Sequence, residues 1–275
     1  MNAVITIAAR EIREGVRNRW VLATTLVLAA LALTLAFLGS TPAGTVKASA
    51  LAVTVVSLSS LSIFLLPLIA LILTFDGIAG EAERGTLLLL LSYPVARWQI
   101  VLGKFLGHTA ILAFATLVGY GATGLVVGLS QESGAGGWAP YLAMVGSSIL
   151  LGAAFAAIGT LVSALARERA VAGGLGIGLW LFFVIVFDMA LLGILAADTN
   201  QTIGSATVPW LLMLNPADIY RFFNLASFGD VSTFAGLAGL SESVRIAPPV
   251  MLGALVVWIV APLGLAALAF QRRSL

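Results

Sequence analysis

The sequence predicts an all-α, polytopic membrane protein. It has six transmembrane helices, an amphipathic amino-terminal helix at the membrane surface, and both termini in the cytoplasm. Three observations carry this prediction. The chain of 275 residues is 60% hydrophobic and only 9% charged, against roughly 25% charged residues in a soluble domain, so it cannot cover its surface against water. Its apolar residues gather into six runs about as long as, or longer than, the roughly 20 residues a helix needs to cross a bilayer core. Its cations are sided: with the amino terminus inside, 11 of the 14 Lys and Arg are cytoplasmic, and only Lys47, Arg221 and Arg245 lie outside, as the bias of cations toward cytoplasmic loops demands.

Residues 3–17 come first. At 100° per residue, Ile5, Ala8, Ala9, Ile12 and Val16 fall on one side of a helix, and Arg10, Arg13, Glu14 and Arg17 on the other, with Ile7 an exception on the polar side. This is the pattern of a helix lying in the headgroup region, and a plain basic anchor orienting the first span is the simpler alternative. The spans are expected at 20–38, 51–75, 100–129, 138–166, 170–197 and 246–270. The first is too long, and its charged lead too extended, for a cleaved signal peptide. Pro67 lies inside the second span, where a lost hydrogen bond is tolerated, and Pro248, Pro249 and Pro262 mark the ends of the sixth.

Between spans two and three lies the most informative segment, 80–93. Glu81, Glu83 and Arg84 are charges between two spans and face the cytosol; Gly85 and Thr86 follow, then Leu87–Leu91, then Pro94. Five leucines are too short to span, and the residue before a proline avoids helical angles, so a short apolar helix outside the membrane core is expected. Such a helix needs cover, from headgroups or from a groove on a soluble partner; an ordinary loop returning to the membrane is the alternative that the residues leave open. The outer loop 198–245 contains a second amphipathic helix. Asn215 suits its N-cap, Pro216 its first position and Asp218 the positive end of its dipole, while Ile219, Phe222, Phe223 and Ala226 share one face. It is expected on the outer leaflet or against an extracytoplasmic partner, with Asn215, Asp218, Tyr220 and Arg221 as the docking residues.

Little chemistry lies within the spans. Asp188 is the one carboxylate at depth, near the outer end of span five, and is either paired there or functional. Lys104 and His108, four apart at the start of span three, are expected to snorkel to the headgroups. Val118-Gly119-Tyr120-Gly121 matches the core of a potassium filter, but Leu117 separates it from Thr116 and the run around it is unbroken, which suits a helix. Gly103/Gly107, Gly124/Gly128 and Gly174/Gly178 have the four-residue spacing of close helix packing or dimerisation. Catalytic residues and metal ligands are not expected: Gly103-Lys104 is followed by Phe105 rather than Ser or Thr, cysteine is absent, and His108 is the single histidine. Neither a phosphate-binding loop nor a clustered copper path can be read, and nothing points to nucleic acid.

The run Gly80-Glu81-Ala82-Glu83-Arg84-Gly85-Thr86-Leu87, with Leu90-Leu91-Ser92-Tyr93-Pro94-Val95, Arg97 and Ile100-Val101-Leu102-Gly103-Lys104, resembles the permeases of ABC-2-type transporters. The likeness extends over the whole chain, including Ala9-Arg10-Glu11 and Asn215-Pro216-Ala217-Asp218. Within that family it is similar to permeases that serve maturation of the copper–sulfur centre of nitrous oxide reductase. The resemblance implies a multi-pass protein of the bacterial inner membrane that forms a homodimer. Two cytoplasmic ATPase subunits, which hold ATP and Mg, would contact residues 3–17 and Glu81, Glu83, Arg84, Thr86 and Leu87. A periplasmic β-helical accessory protein, with a copper chaperone as a further candidate, would dock near 198–245. The work implied is export or conformational signalling. A stand-alone secondary transporter or channel, a passive anchor, and an ABC-2 exporter of another substrate are the competing readings.

Overall fold

A computed structural model describes residues 3–17, 25–27, 29–34, 50–130, 138–197, 207–226 and 246–273. Every regular element among them is helical: α1 (Ala3–Arg17), α2 (Ala50–Thr74), α3 (Asp76–Glu83), α4 (Thr86–Leu91), α5 (Arg97–Ser130), α6 (Trp138–Leu165), α7 (Arg169–Leu181), a π-helical turn (Phe182–Val186), α8 (Phe187–Ala197), α9 (Val208–Leu212), α10 (Pro216–Ala226) and α11 (Pro248–Arg272). Among the described residues, five stretches are long and apolar enough to cross a membrane: Thr54–Glu83, Arg97–Gly128, Trp138–Leu165, Arg169–Ala197 and Pro248–Arg272. Of the span expected at 20–38, residues 25–27 and 29–34 are helical and the rest lies outside the described residues, as do 198–206 and 227–245 of the outer loop.

Helix α6 is the centre of the bundle, packed by α2, α5, α10 and α11. Its sequence explains the position. Gly152, Ala153, Ala154, Ala156, Ala157 and Gly159 let neighbouring backbones approach closely, which is how helices associate where lipid removes the hydrophobic drive between them. A Cβ on Gly152 would collide with Leu112 of α5, and one on Gly159 with Thr74 of α2. In contrast, α7 and α8 lie at the periphery, and a Cβ on Gly174 or Gly178 would meet nothing. The two other glycine pairs are filled: Gly124 and Gly128 receive Tyr141 and Trp138, while Gly103 and Gly107 receive α1. The Val118–Gly121 stretch is ordinary α5 helix, with the buried Tyr120 hydroxyl 2.7 Å from Ser62 Oγ.

Both chain ends meet one end of α5. Helix α1 crosses it at Gly103 and Gly107, and Arg97 Nη1 donates to the carbonyls of Phe270, Gln271 and Arg273 at 2.9, 3.1 and 2.7 Å. That guanidinium satisfies orphan carbonyls at the negative end of α11.

Three expectations are corrected. Pro262 lies inside α11 rather than at its end, because neighbouring helices make an interior proline tolerable in a membrane. In α1 the residues that bury are Val4 and Ile7, whereas Ile5 and Val16 stay 62% and 55% exposed. The helix has three sectors, one against α5 (Val4, Ile7, Ala8, Glu11, Gly15), one apolar and uncovered, and one basic. A two-sided reading merged the first into the others. Third, α10 does not lie on an outer surface. It packs among α2, α6 and α11, with Ile219 and Phe223 against Met251 and Leu255. Its polar face is buried too, because α6 supplies partners: Ser148 for the Tyr220 hydroxyl at 2.9 Å and Ser147 for Asn224 at 3.1 Å.

Candidate functional site

The segment after α2 is a helix–turn–helix unit hung on the bundle. Ser163 Oγ of α6 accepts from the backbone N–H of Ile78 and Ala79 at 2.9 and 3.0 Å and so ties the first turn of α3 to the bundle. The chain reverses at Gly85, whose φ of +74° is the left-handed conformation that favours glycine. Thr86 Oγ1 donates back to the Glu81 carbonyl at 3.2 Å. Leu87 then pegs α4 into a core shared with Ile7, Ile78, Ile100 and Phe270. The other side of α4 is uncovered: Leu88, Leu89 and Tyr93 are 59%, 68% and 67% exposed. Glu83, Arg84 and Thr86 are exposed beside them.

Behind this unit lies a charged cluster that the sequence reading divided wrongly. Lys104 does not snorkel; its side chain is 3% exposed, with Nζ 2.7 Å from Glu11 of α1 and 2.8 Å from Glu81 of α3. Glu81 likewise turns into the protein instead of facing the cytosol. The reason is geometric. Gly103 and Gly107 bring α1 onto α5, Gly77 leaves room for His108 on the α3 side, and the lysine is caught between two carboxylates before it can extend outward. His108 Nε2 lies 3.4 Å from the second Glu11 oxygen. Burial pushes the Glu11 carboxyl up, but the hydrogen bond from His108 and the charge of Lys104 outweigh it and hold the group down at about 2. A second set of ties runs to α7 across exposed ground: Arg169 Nε to Asp76 at 3.0 Å, and the Arg169 N–H to Glu83 at 3.0 Å.

At the other end of the bundle, Asp188 is paired. Arg221 Nη1 of α10 lies 2.9 Å from Asp188 Oδ2 and 3.1 Å from Asp218 Oδ1. Asn215 joins this network to the π-helical turn: its Nδ2 donates to the Phe183 carbonyl at 2.7 Å and to Asp218 Oδ2 at 2.9 Å, while its Oδ1 caps the N–H of Ala217. Burial, reinforced by the nearby Asp188 charge, pushes the Asp218 carboxyl up to about 7 against the pull of Arg221 and Asn215. Asn215, Asp218 and Tyr220 are therefore committed inside the protein, and only Arg221, 29% exposed, retains access to the surface. Direct docking through the first three is not what this geometry offers.

Sequence reasoning passed over Glu11 and Ser163 and gave Lys104 the wrong role. The available sign was Lys104 and His108 four apart on one helical face within an otherwise apolar run.

The family model described as ABC-2 family transporter protein matches residues 5–275. The chain belongs to the ABC-2 transporter family. Two curated relatives have the same extent: a protein named probable ABC transporter permease protein NosY from Pseudomonas aeruginosa is 44% identical over 280 residues, covering 100% of both chains. Another of that name from Stutzerimonas stutzeri is 43% identical over 276 residues, covering 99% of both. This ABC-2 protein thus matches proteins named as permeases over their full length, and its apolar helices make it a multi-pass membrane protein.

Proposed function

We propose that this chain is the membrane-spanning permease subunit of an ABC transporter, driven by separate cytoplasmic ATPase subunits that hold ATP and Mg. The observation that carries the reading is the α3–α4 unit: a buttressed pair of short helices that exposes Leu88, Leu89 and Tyr93 beyond the bundle. A helix-in-groove contact is the ordinary use of such a face. Glu83, Arg84 and Thr86 edge that face, and Leu87 anchors it from behind. The 11-to-3 cation bias orients this end, and both termini, toward the cytoplasm of a bacterial inner-membrane protein, with residues 20–38 completing six spans. Arg10, Arg13, Glu14 and Arg17 form the solvent edge of α1, whose Ile5 and Val16 face lies in the headgroup boundary. A second copy would pack on the open Gly174/Gly178 side of α7. A periplasmic β-helical partner, or a copper chaperone, would approach residues 198–245 near Arg221. By likeness to the proteins named NosY, the work is export or signalling for maturation of the copper–sulfur centre of nitrous oxide reductase.

Co-purification tests this. A tagged chain co-expressed with the cytoplasmic ATPase of its transporter should retain that subunit in fixed stoichiometry. Leu88→Glu with Leu89→Glu should release it while the permease still elutes as a folded species. Ion-driven flux in liposomes holding this chain alone, with no ATPase retained, would replace the proposal with a secondary transporter or channel.

A further inference from the structure

We infer that Lys104 is a positioning residue that joins α1 and the α3–α4 unit into one lever, so that force applied to either reaches α5 through the same ammonium group. The inference rests on the reading of α3–α4 as the ATPase contact. Three elements far apart in sequence meet at Nζ: Glu11 at 2.7 Å, Glu81 at 2.8 Å, and Lys104 itself on α5. A buried ion pair adds little net stability over an apolar contact of the same shape, but it is directional, and breaking it strands a charge. Neither carboxylate has a ready substitute. Among the described residues, Glu81 Oε2 is buried without a hydrogen-bond partner, and Glu11 otherwise reaches only His108, at 3.4 Å. The contact is thus made or broken rather than stretched.

Shape and charge coincide around the same residue. A Cβ on Gly103 would stand 2.8 Å from Ile7 Cβ, one on Gly107 2.5 Å from Glu11 Cβ, and one on Gly77 3.2 Å from His108 Cε1. Helix α1 is therefore seated on α5, whereas α3 packs on α6 and α7 and reaches α5 through the side chains of Lys104 and His108. The ties from α3 to α7 are of another kind. Arg169 is 54% exposed, while the Asp76 oxygen it pairs with is buried. Helix α3 is also held by Ser163 of α6 and by the buried Ala79–Ala172 contact with α7, so Lys104 is the tie that carries α1 with it.

The chain lacks cysteine, so a label pair can be placed at will. Ala9→Cys on α1 and Ser92→Cys after α4, both exposed, would carry spin labels in the permease–ATPase complex in lipid nanodiscs. The expected interlabel distance is narrow and the same with and without ATP plus vanadate. Lys104→Met should broaden it, make it depend on nucleotide, and lower permease-dependent ATP turnover about tenfold, a usual size for coupling between sites. Lys104→Arg should restore both. If Lys104→Met fails to fold, Glu81→Gln, which keeps shape and leaves the Glu11 pair, is expected to show the same broadening. A parent distance that shifts with nucleotide, or a narrow distance and full turnover in the variants, would overturn the inference. Failure of the parent to retain ATPase would sink the proposed function instead, and the label distance in the permease alone would still decide the clamp.

Discussion

The two ends of this bundle each hold one cation between two carboxylates, and they resolve the same surplus of negative charge in different ways. At the α1 end, Lys104 lies between Glu11 and Glu81, and His108 offers Glu11 a further donor, so Glu11 titrates low, at about 2. At the α10 end, Arg221 lies between Asp188 and Asp218 with only a neutral amide, Asn215, in support, and Asp218 rises to about 7. Burial raises both carboxyls; at Glu11 the His108 hydrogen bond and the Lys104 charge outweigh it, whereas at Asp218 the nearby Asp188 charge adds to it. The Glu11 carboxyl is thus held low and the Asp218 carboxyl high.

The largest effect that separates the two ends should come from removing each cation. Lys104→Met leaves two carboxylates facing each other in a buried site and should cost about 3–5 kcal/mol. Arg221→Met should cost less, about 1–3 kcal/mol, because Asp218 can discharge by protonation. Unfolding in mixed micelles measures both, and equal losses would break the contrast. Next in size, Asn215→Ala removes a cap and leaves the Phe183 carbonyl without its donor, at about 1–3 kcal/mol by the same assay. The smallest effect is that of pH. With Asp218 raised from 3.8 to about 7, the folded state holds a proton that the unfolded chain has released, so this contribution is full below 3.8 and is lost as pH rises to about 7. The melting temperature should fall between pH 5 and pH 7.5, and the part of that fall owed to Asp218 should vanish in Asp218→Asn. Glu11, lowered from 4.5 to about 2, has the opposite sign; its contribution is present above 4.5 and lost as pH falls toward 2, so the two windows overlap only between 3.8 and 4.5.

The fold class was legible because a bilayer imposes a one-dimensional rule: charge-free stretches of sufficient length must be helices. The five described spans sit close to the apolar runs, and Asn215–Pro216 opens α10 as the capping residues suggest. The site was less legible. Helix α10 carries the amphipathic pattern of a surface helix, yet it is buried on both faces because Ser147 and Ser148 of α6 match its polar side. Periodicity reports that a face is apolar, not what covers the other one. In α1, Ile7 looked like an exception until α5 supplied its partner.

By itself the sequence determined the solvent, the helical class and the exposed leucines that end the α3–α4 unit, since these follow from local composition and spacing. Only the tertiary structure decided that Lys104 is a joint rather than an anchor, that Asp188 is paired with Arg221, and that α10 enters the bundle. Each depends on contacts between residues 23 to 93 positions apart, and burial and charge pairing exist only once distant helices are brought to contact distance.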